Sequence, residues 1–191
     1  MDRKTVLQAQ RGDAGAQAAL LRNLGGLVGA LVRRLGARHE LEDQLHDVFV
    51  HLLEALPQFD VDGPAKLSTW AFTVTQRWLL MQRRRAAPNL VALDGGLSVP
   101  SEERDATEHV QGRQLLALLE AELARLPEEQ RRAFVSTQLH AQPLPVVADV
   151  EGVPLATLKT RLHRARATLV LRLGPLLERA THEGGRHAAA R

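Results

Sequence analysis

Apolar residues recur along this chain at helical spacing. The longest regular run is Leu41, Leu45, Val48, Phe49, Leu52, Leu53 and Leu56, whose steps of 4, 3, 1, 3, 1 and 3 hold one stripe over four turns. Pro57 ends it, and Phe59-Asp60-Val61-Asp62-Gly63-Pro64 reads as a loop. Upstream, Leu7 to about Leu35 reads as two helices, with Gly12-Asp13 as break and N-cap and with Leu20, Leu21, Leu24, Leu27, Val28, Leu31 and Val32 on one face. Downstream, Ser68 or Thr69 is placed to cap a helix through Trp70, Phe72, Val74, Trp78 and Leu79 to Arg85. Trp70 and Phe72 are expected in the core.

The period then lapses. Between about Ala86 and Glu108 come Pro88, Gly95, Gly96, Ser98, Pro100 and Ser101, the composition of a linker. Helical spacing resumes at Leu115, Leu118, Leu119, Leu123 and Leu126, and Pro127-Glu128-Glu129 suits the first turn of a further helix. The expectation is an all-α protein of two small helical domains: residues 1–86, a flexible linker over 87–111, a second domain over 112–176 and a disordered tail over 177–191. Each domain is small enough that its core gives only marginal stability.

Composition narrows the chemistry. With 191 residues and no cysteine, the chain has no disulfide framework, thiolate nucleophile or Cys-ligated metal. Aromatic residues are 3% of the chain, and a core of Leu, Val and Ala favours helix over sheet. The net charge of +3 is uninformative, but its distribution is not. Glu40 to Asp60 holds six carboxylates and no Lys or Arg, 61–85 is net basic, 86–112 is net acidic, and 154–172 carries five cations and no acid. Blocks of this kind suggest several surfaces with different partners. No run approaches 18 apolar residues and no signal peptide opens the chain, so a cytoplasmic protein without membrane contact of its own is expected.

The most specific constellation lies near the C-terminus. Leu144 to Val150, then Glu151-Gly152-Val153-Pro154, then Leu155 onward gives helix, tight turn and helix, the spacing of a helix-turn-helix. In the second helix Leu155, Leu158, Leu162, Ala165 and Leu169 form a stripe, and the other faces carry Thr157, Lys159, Thr160, Arg161, His163, Arg164 and Arg166. A packed back with a cationic, hydroxyl-bearing front suits major-groove entry, where cations release counterions from phosphates and forked side chains read base edges.

Leu126-Pro-Glu-Glu-Gln-Arg-Arg, then Ala148, Gly152-Val-Pro154, Thr157 and Lys159-Thr-Arg-Leu-His-Arg-Ala-Arg166 resemble region 4 of extracytoplasmic-function sigma factors, sigma-70-type subunits of bacterial RNA polymerase. Glu42-Asp43-Gln44-Leu45-His46-Asp47-Val48-Phe49, Leu67-Ser68-Thr69-Trp70 and Arg83-Arg84-Arg85 resemble region 2 of the same family, in the right order. The resemblance implies a subunit that binds core RNA polymerase and directs promoter-specific initiation. It implies that Asp43, Gln44 and Asp47 dock on the clamp helices of the largest polymerase subunit. Gln76, Arg77, Trp78, Arg83 and Arg84 are implied to meet the minus-ten element, where aromatic faces stack on unpaired bases and cations hold the backbone. Thr157, Lys159, Thr160, Arg161 and Arg164 are implied to meet the minus-thirty-five element. An anti-sigma factor, commonly membrane-bound, is a further implied partner, and the acidic linker is expected in the polymerase channel.

The chain departs from the family pattern in places. Arg77 stands where Asn is common, Met81 where Asp is common, Val146 where Glu is usual and Ala156 where Gly is usual. Pro143 and Pro145 are expected to delay the first helix of the motif. Two other classes compete with this reading. Asp43, His46, Asp47 and His51 have spacings at which one ion might be shared, but no Glu-x-x-His pair supports a ferritin-like site, and no metal or cofactor is expected. No G-x-S-x-G or glycine-rich phosphate loop points to an enzyme or a small-molecule substrate. A stand-alone helix-turn-helix regulator that does not bind polymerase is the alternative.

Overall fold

Aspartates start the first two helices. Asp2 accepts from Thr5 N (3.0 Å) at the head of α1 (Arg3–Gln10), and Asp13 accepts from Ala16 N (2.7 Å) at the head of α2 (Ala14–Leu35), so each carboxylate satisfies one of the orphan amides of a first turn. A computed structural model describes residues 1–36, 41–86 and 109–188, with side chains over 1–36, 41–85 and 115–175. The other helices are α3 (Leu41–Ala55), α4 (Leu67–Ala86), α5 (His109–Ala124), α6 (Glu128–Phe134), α7 (Leu144–Glu151) and α8 (Leu155–Ala188). No strand occurs among the described residues.

The chain divides into two units. The first takes in α1 to α4 together with Pro145–Gly152. Its axis is α2, which touches α1, α3 and α4 and buries Leu20, Leu24, Val28, Leu31, Val32 and Leu35. Val48 and Leu52 of α3, Leu56 after it, and Ala71, Phe72, Trp78 and Leu79 of α4 belong to the same core. Burying a Leu or Phe fully is worth about 1.5–3 kcal/mol, so such a stripe outweighs the four glycines inside α2. A short 3-10 turn over Leu56–Gln58 takes Pro57 at its start and ends α3 as the sequence predicts.

Helix α1 holds the connection between α3 and α4. Gln10 Nε2 donates to the carbonyls of Leu56 (3.0 Å) and Phe59 (2.7 Å), and Arg3 makes two 2.7 Å bonds to the Asp62 carboxylate. Those bonds hold the Asp62 carboxyl below its ordinary pKa. Helix α4 begins two or three residues earlier than the caps expected for it. Trp70 N bonds to Lys66 O (3.0 Å), which leaves Ser68 and Thr69 inside the first turn.

The second unit contains α5, α6 and α8. Leu123, Leu126, Ala133, Val135, Leu158, Leu162, Ala165 and Leu169 are its buried apolar residues. Ion pairs tie α8 to its neighbours: Glu129 on α6 meets Arg161 at 2.8 Å, and the buried Glu122 on α5 meets Arg172 at 3.5 Å as well as Arg125. Helix α6 ends in a π-turn over Val135–Leu139, followed by Ala141 in the left-handed region at φ 49°.

Pro143 lies outside α7 and Pro145 falls in its first turn, where a missing N–H costs nothing. That is the delayed start the prolines predict. Helix α8 extends past the expected domain end: it continues through Ala188, so the tail expected to be disordered from 177 is helical over most of its length. Leu, Glu, Arg and Ala at 176–180 are good helix formers and carry the helix on from Pro175. The linker expected over 87–111 lies outside the described residues, apart from the first residues of α5.

Candidate nucleic-acid interface

The buried line of α3 is Gln44, Val48 and Leu52, three residues at i, i+4 and i+8. The opposite face exposes Glu42, Asp43, His46, Asp47 and Glu54, so Asp43 and Asp47 project one turn apart into solvent. Gln44 is a different matter. Its amide oxygen lies so close to Gly36 that a Cβ there would collide with it and with the Val32 carbonyl. Gln44 is therefore a joint between α3 and the end of α2, which corrects the expectation that it faces polymerase.

Helix α4 sorts its residues the same way. Phe72, Thr75, Gln76, Trp78 and Leu79 are buried, while Arg77, Arg84 and Arg85 are exposed. Of the two aromatic residues expected in the core, Phe72 is fully buried, whereas Trp70 is half-buried at its edge with its ring 5.2 Å from Phe59. Burial removes Gln76 and Trp78 from direct contact with DNA: Gln76 Nε2 donates to Glu151 Oε1 (2.6 Å), and Trp78 is 6% exposed. Arg83 donates to the Leu35 carbonyl at the C-terminus of α2, where a cation offsets the negative end of the helix dipole. Arg77 is exposed and pairs with Asp149 at 2.8 Å. Arg84 and Arg85 extend the basic end of the helix into solvent.

Helix α8 carries three kinds of surface on one cylinder. Leu158, Leu162, Ala165 and Leu169, at steps of 4, 3 and 4, are its buried back. Leu155, expected on that stripe, is 39% exposed because it is the first residue of the helix. Thr157, Thr160 and Arg164 form the face turned away from the core, with the Thr160 hydroxyl donating back to Ala156 O (3.0 Å). On one flank stands Arg161, expected at DNA but engaged by Glu129. That pair spends its charge within the unit and corrects its assignment. On the other flank Lys159, His163 and Arg166 fall at steps of four and three and are all exposed. A cleft of about 300 Å³ opens beside them, lined also by Thr137, Gln138, Gln142, Leu144 and Leu162, with no carboxylate among its walls.

His163 and Arg166 are the residues that the sequence-based site lacked. Their i, i+4, i+7 relation to Lys159 was a usable signal. No group of three or more His, Cys, Asp or Glu that might hold a metal occurs among the described residues.

Two family models match the chain: Sigma-70 region 2 over residues 20–88 and Sigma-70, region 4 over residues 116–169. The ECF RNA polymerase sigma factor SigW of Bacillus subtilis is 26% identical over 182 residues, covering 88% of this chain and 95% of that protein. RNA polymerase sigma factor CnrH of Cupriavidus metallidurans is 28% identical over 177 residues, 88% of this chain and 92% of its own. A solved structure of CnrH in complex with the cytosolic domain of CnrY matches with a TM-score of 0.59 at 25% identity, covering 91% of this chain and 97% of that one. The sigma factor RpoE from Bartonella quintana, solved with the anti-sigma factor NepR, shares the fold with a TM-score of 0.64 at 19% identity, covering 81% and 94%.

Proposed function

The chain belongs to the extracytoplasmic-function branch of the sigma-70 family and is an RNA polymerase sigma factor; on that premise we propose how its surfaces divide the work. The acidic face of α3, with Asp43 and Asp47 one turn apart, docks on basic residues of the polymerase clamp helices. The basic end of α4, with Arg84 and Arg85, meets the minus-ten element, joined by Arg77 earlier on the helix, which keeps more than half its side chain exposed beside Asp149. Thr157, Lys159, Thr160 and Arg164 of α8 meet the minus-thirty-five element. Recognition is its whole task, and bond making belongs to the polymerase.

The observation that carries this division is the sorting of α8. An apolar back is packed into the second unit, and the exposed hydroxyls and cations of the front carry no acid from 154 to 172. Helix α3 shows the inverse, acids outward over an apolar back, which suits a basic protein partner and repels DNA. The stand-alone regulator weighed above does not account for the match of residues 20–88 to region 2.

A second protein partner follows from kinship. CnrH is solved with the cytosolic domain of CnrY and RpoE with the anti-sigma factor NepR, and an anti-sigma factor is proposed for this chain as well. No helix among the described residues is long and apolar enough to cross a membrane. The proposed place of action is the cytoplasm, where polymerase and promoters are.

Asp47→Arg tests the docking face. The side chain is exposed, so the fold should survive the change. Binding to core polymerase should fall at least tenfold, because an attractive pair becomes a like-charge contact worth several kcal/mol of discrimination. Undiminished holoenzyme formation in a pull-down with core polymerase would remove α3 as the docking face.

A further inference from the structure

The cleft beside α8 has a geometry that promoter reading by Thr160 and Arg164 does not use. An α-helix with its side chains is about 10–12 Å across and the DNA major groove is about 12 Å wide. A helix seated there turns its apex to base edges and its flanks to the phosphate walls. On α8 the apex is Thr157, Thr160 and Arg164. One flank is closed, since Arg161 is neutralised by Glu129 at 2.8 Å. The other is open and cationic.

On that open flank, Arg166 is held in place by a relay. Its Nη2 donates to Gln138 Oε1 (2.7 Å), Gln138 Nε2 donates to Thr137 Oγ1 (3.2 Å), and Thr137 Oγ1 donates to the Ala133 carbonyl (2.7 Å). The relay ends on the backbone of α6, and Gln138 and Thr137 both sit on the π-turn over Val135–Leu139. Such turns are frequent at functional sites. A guanidinium has five N–H donors, and this bond uses one. The others are available to the cleft that Arg166 shares with Lys159 and His163.

We propose that this cleft seats one backbone phosphate of duplex DNA, with Arg166 as its principal contact and Gln138 as the residue that positions Arg166. The ligand is a phosphodiester of the duplex on which α8 docks, so the inference rests on the reading of α8 as the minus-thirty-five helix. Phosphate contacts of this kind fix register on the duplex and carry no sequence information themselves.

The test uses full-length protein assembled with core polymerase, on a duplex spanning a transcription start that the holoenzyme itself produces. Dissociation constants are measured from about 50 to 300 mM salt. Arg166→Gln should weaken binding about tenfold near physiological salt and reduce the salt slope by about one, equally on duplexes altered in the minus-thirty-five bases. Arg166→Lys keeps the charge and should keep the slope, which separates a phosphate contact from a purely structural tie. Gln138→Ala should weaken binding a few-fold, and Gln138→Ala added to Arg166→Gln should cost nothing more, because Gln138 acts through Arg166.

An unchanged slope in Arg166→Gln, or a slope lost equally in Arg166→Lys, overturns the phosphate site. Additive losses overturn the positioning role. Arg164→Ala, at the apex of α8 and outside the cleft, separates the phosphate site from the reading of α8. If it weakens binding while Arg166→Gln does not, the minus-thirty-five reading stands without the cleft. If neither matters, the reading of α8 itself has failed.

Discussion

Thr75 shows how a single side chain can be at odds with the core that encloses it. It is fully buried in α4, and its hydroxyl has no hydrogen-bond partner among the described residues. Leaving a buried hydroxyl unmatched costs about 1–3 kcal/mol. Thr75→Val keeps the shape and removes the polar group, so it should raise the thermal midpoint, with a gain of about 1 kcal/mol in denaturant titration. A loss of stability would show that the hydroxyl is satisfied in solution. The neighbouring residues mark the limit of what sequence could tell. Gln44 lies on the line of Val48 and Leu52, and Gln76 on that of Phe72 and Leu79, so both could have been placed in the core by spacing despite their amides. Arg161 offered no such signal, because its partner Glu129 is 32 positions away and only the fold brings them together. Exposure of Asp43, Asp47, Lys159 and Arg164 was legible, since each sits opposite a continuous apolar stripe.

At the scale of elements, the signals that act within a few residues were the readable ones. The Asp13 cap, the stripe of α3 and the proline start of α7 are each fixed by neighbours in the chain. The hold of α1 on the connection after α3 is not of that kind. Arg3 and Asp62 are 59 positions apart, and both are exposed, so the pair orders a loop more than it adds stability. The turn between α7 and α8 makes a sharper prediction. Gly152 has φ +65°, and a Cβ there would meet nothing within 4 Å, so only backbone strain opposes a side chain. Gly152→Ala should cost about 1–2 kcal/mol for entering the left-handed region. Gly26→Ala, with equally open space but inside α2, should stabilise by about 0.5–1 kcal/mol. Two glycine-to-alanine changes with opposite signs in thermal melts would verify both backbones. The same sign in both would contradict the turn.

Across the whole molecule, charge is sorted by surface. Acids face outward on α3, cations gather at the end of α4 and on the front of α8, and the helices that carry them belong to region 2 and region 4 matches in family order. That order was legible from short motifs, which is why the family was recognisable from the sequence. Which cations remain available was not, because Arg83 and Arg161 are claimed by contacts that only the folded units create. The direct measurement of the central claim is run-off transcription by purified core polymerase on fragmented genomic DNA, with and without this protein, followed by sequencing of transcript ends. Discrete new starts that depend on the protein and share upstream motifs at two positions, matching the surfaces of α4 and α8, are expected if the chain is a sigma factor. Unchanged starts together with no binding to core would contradict it.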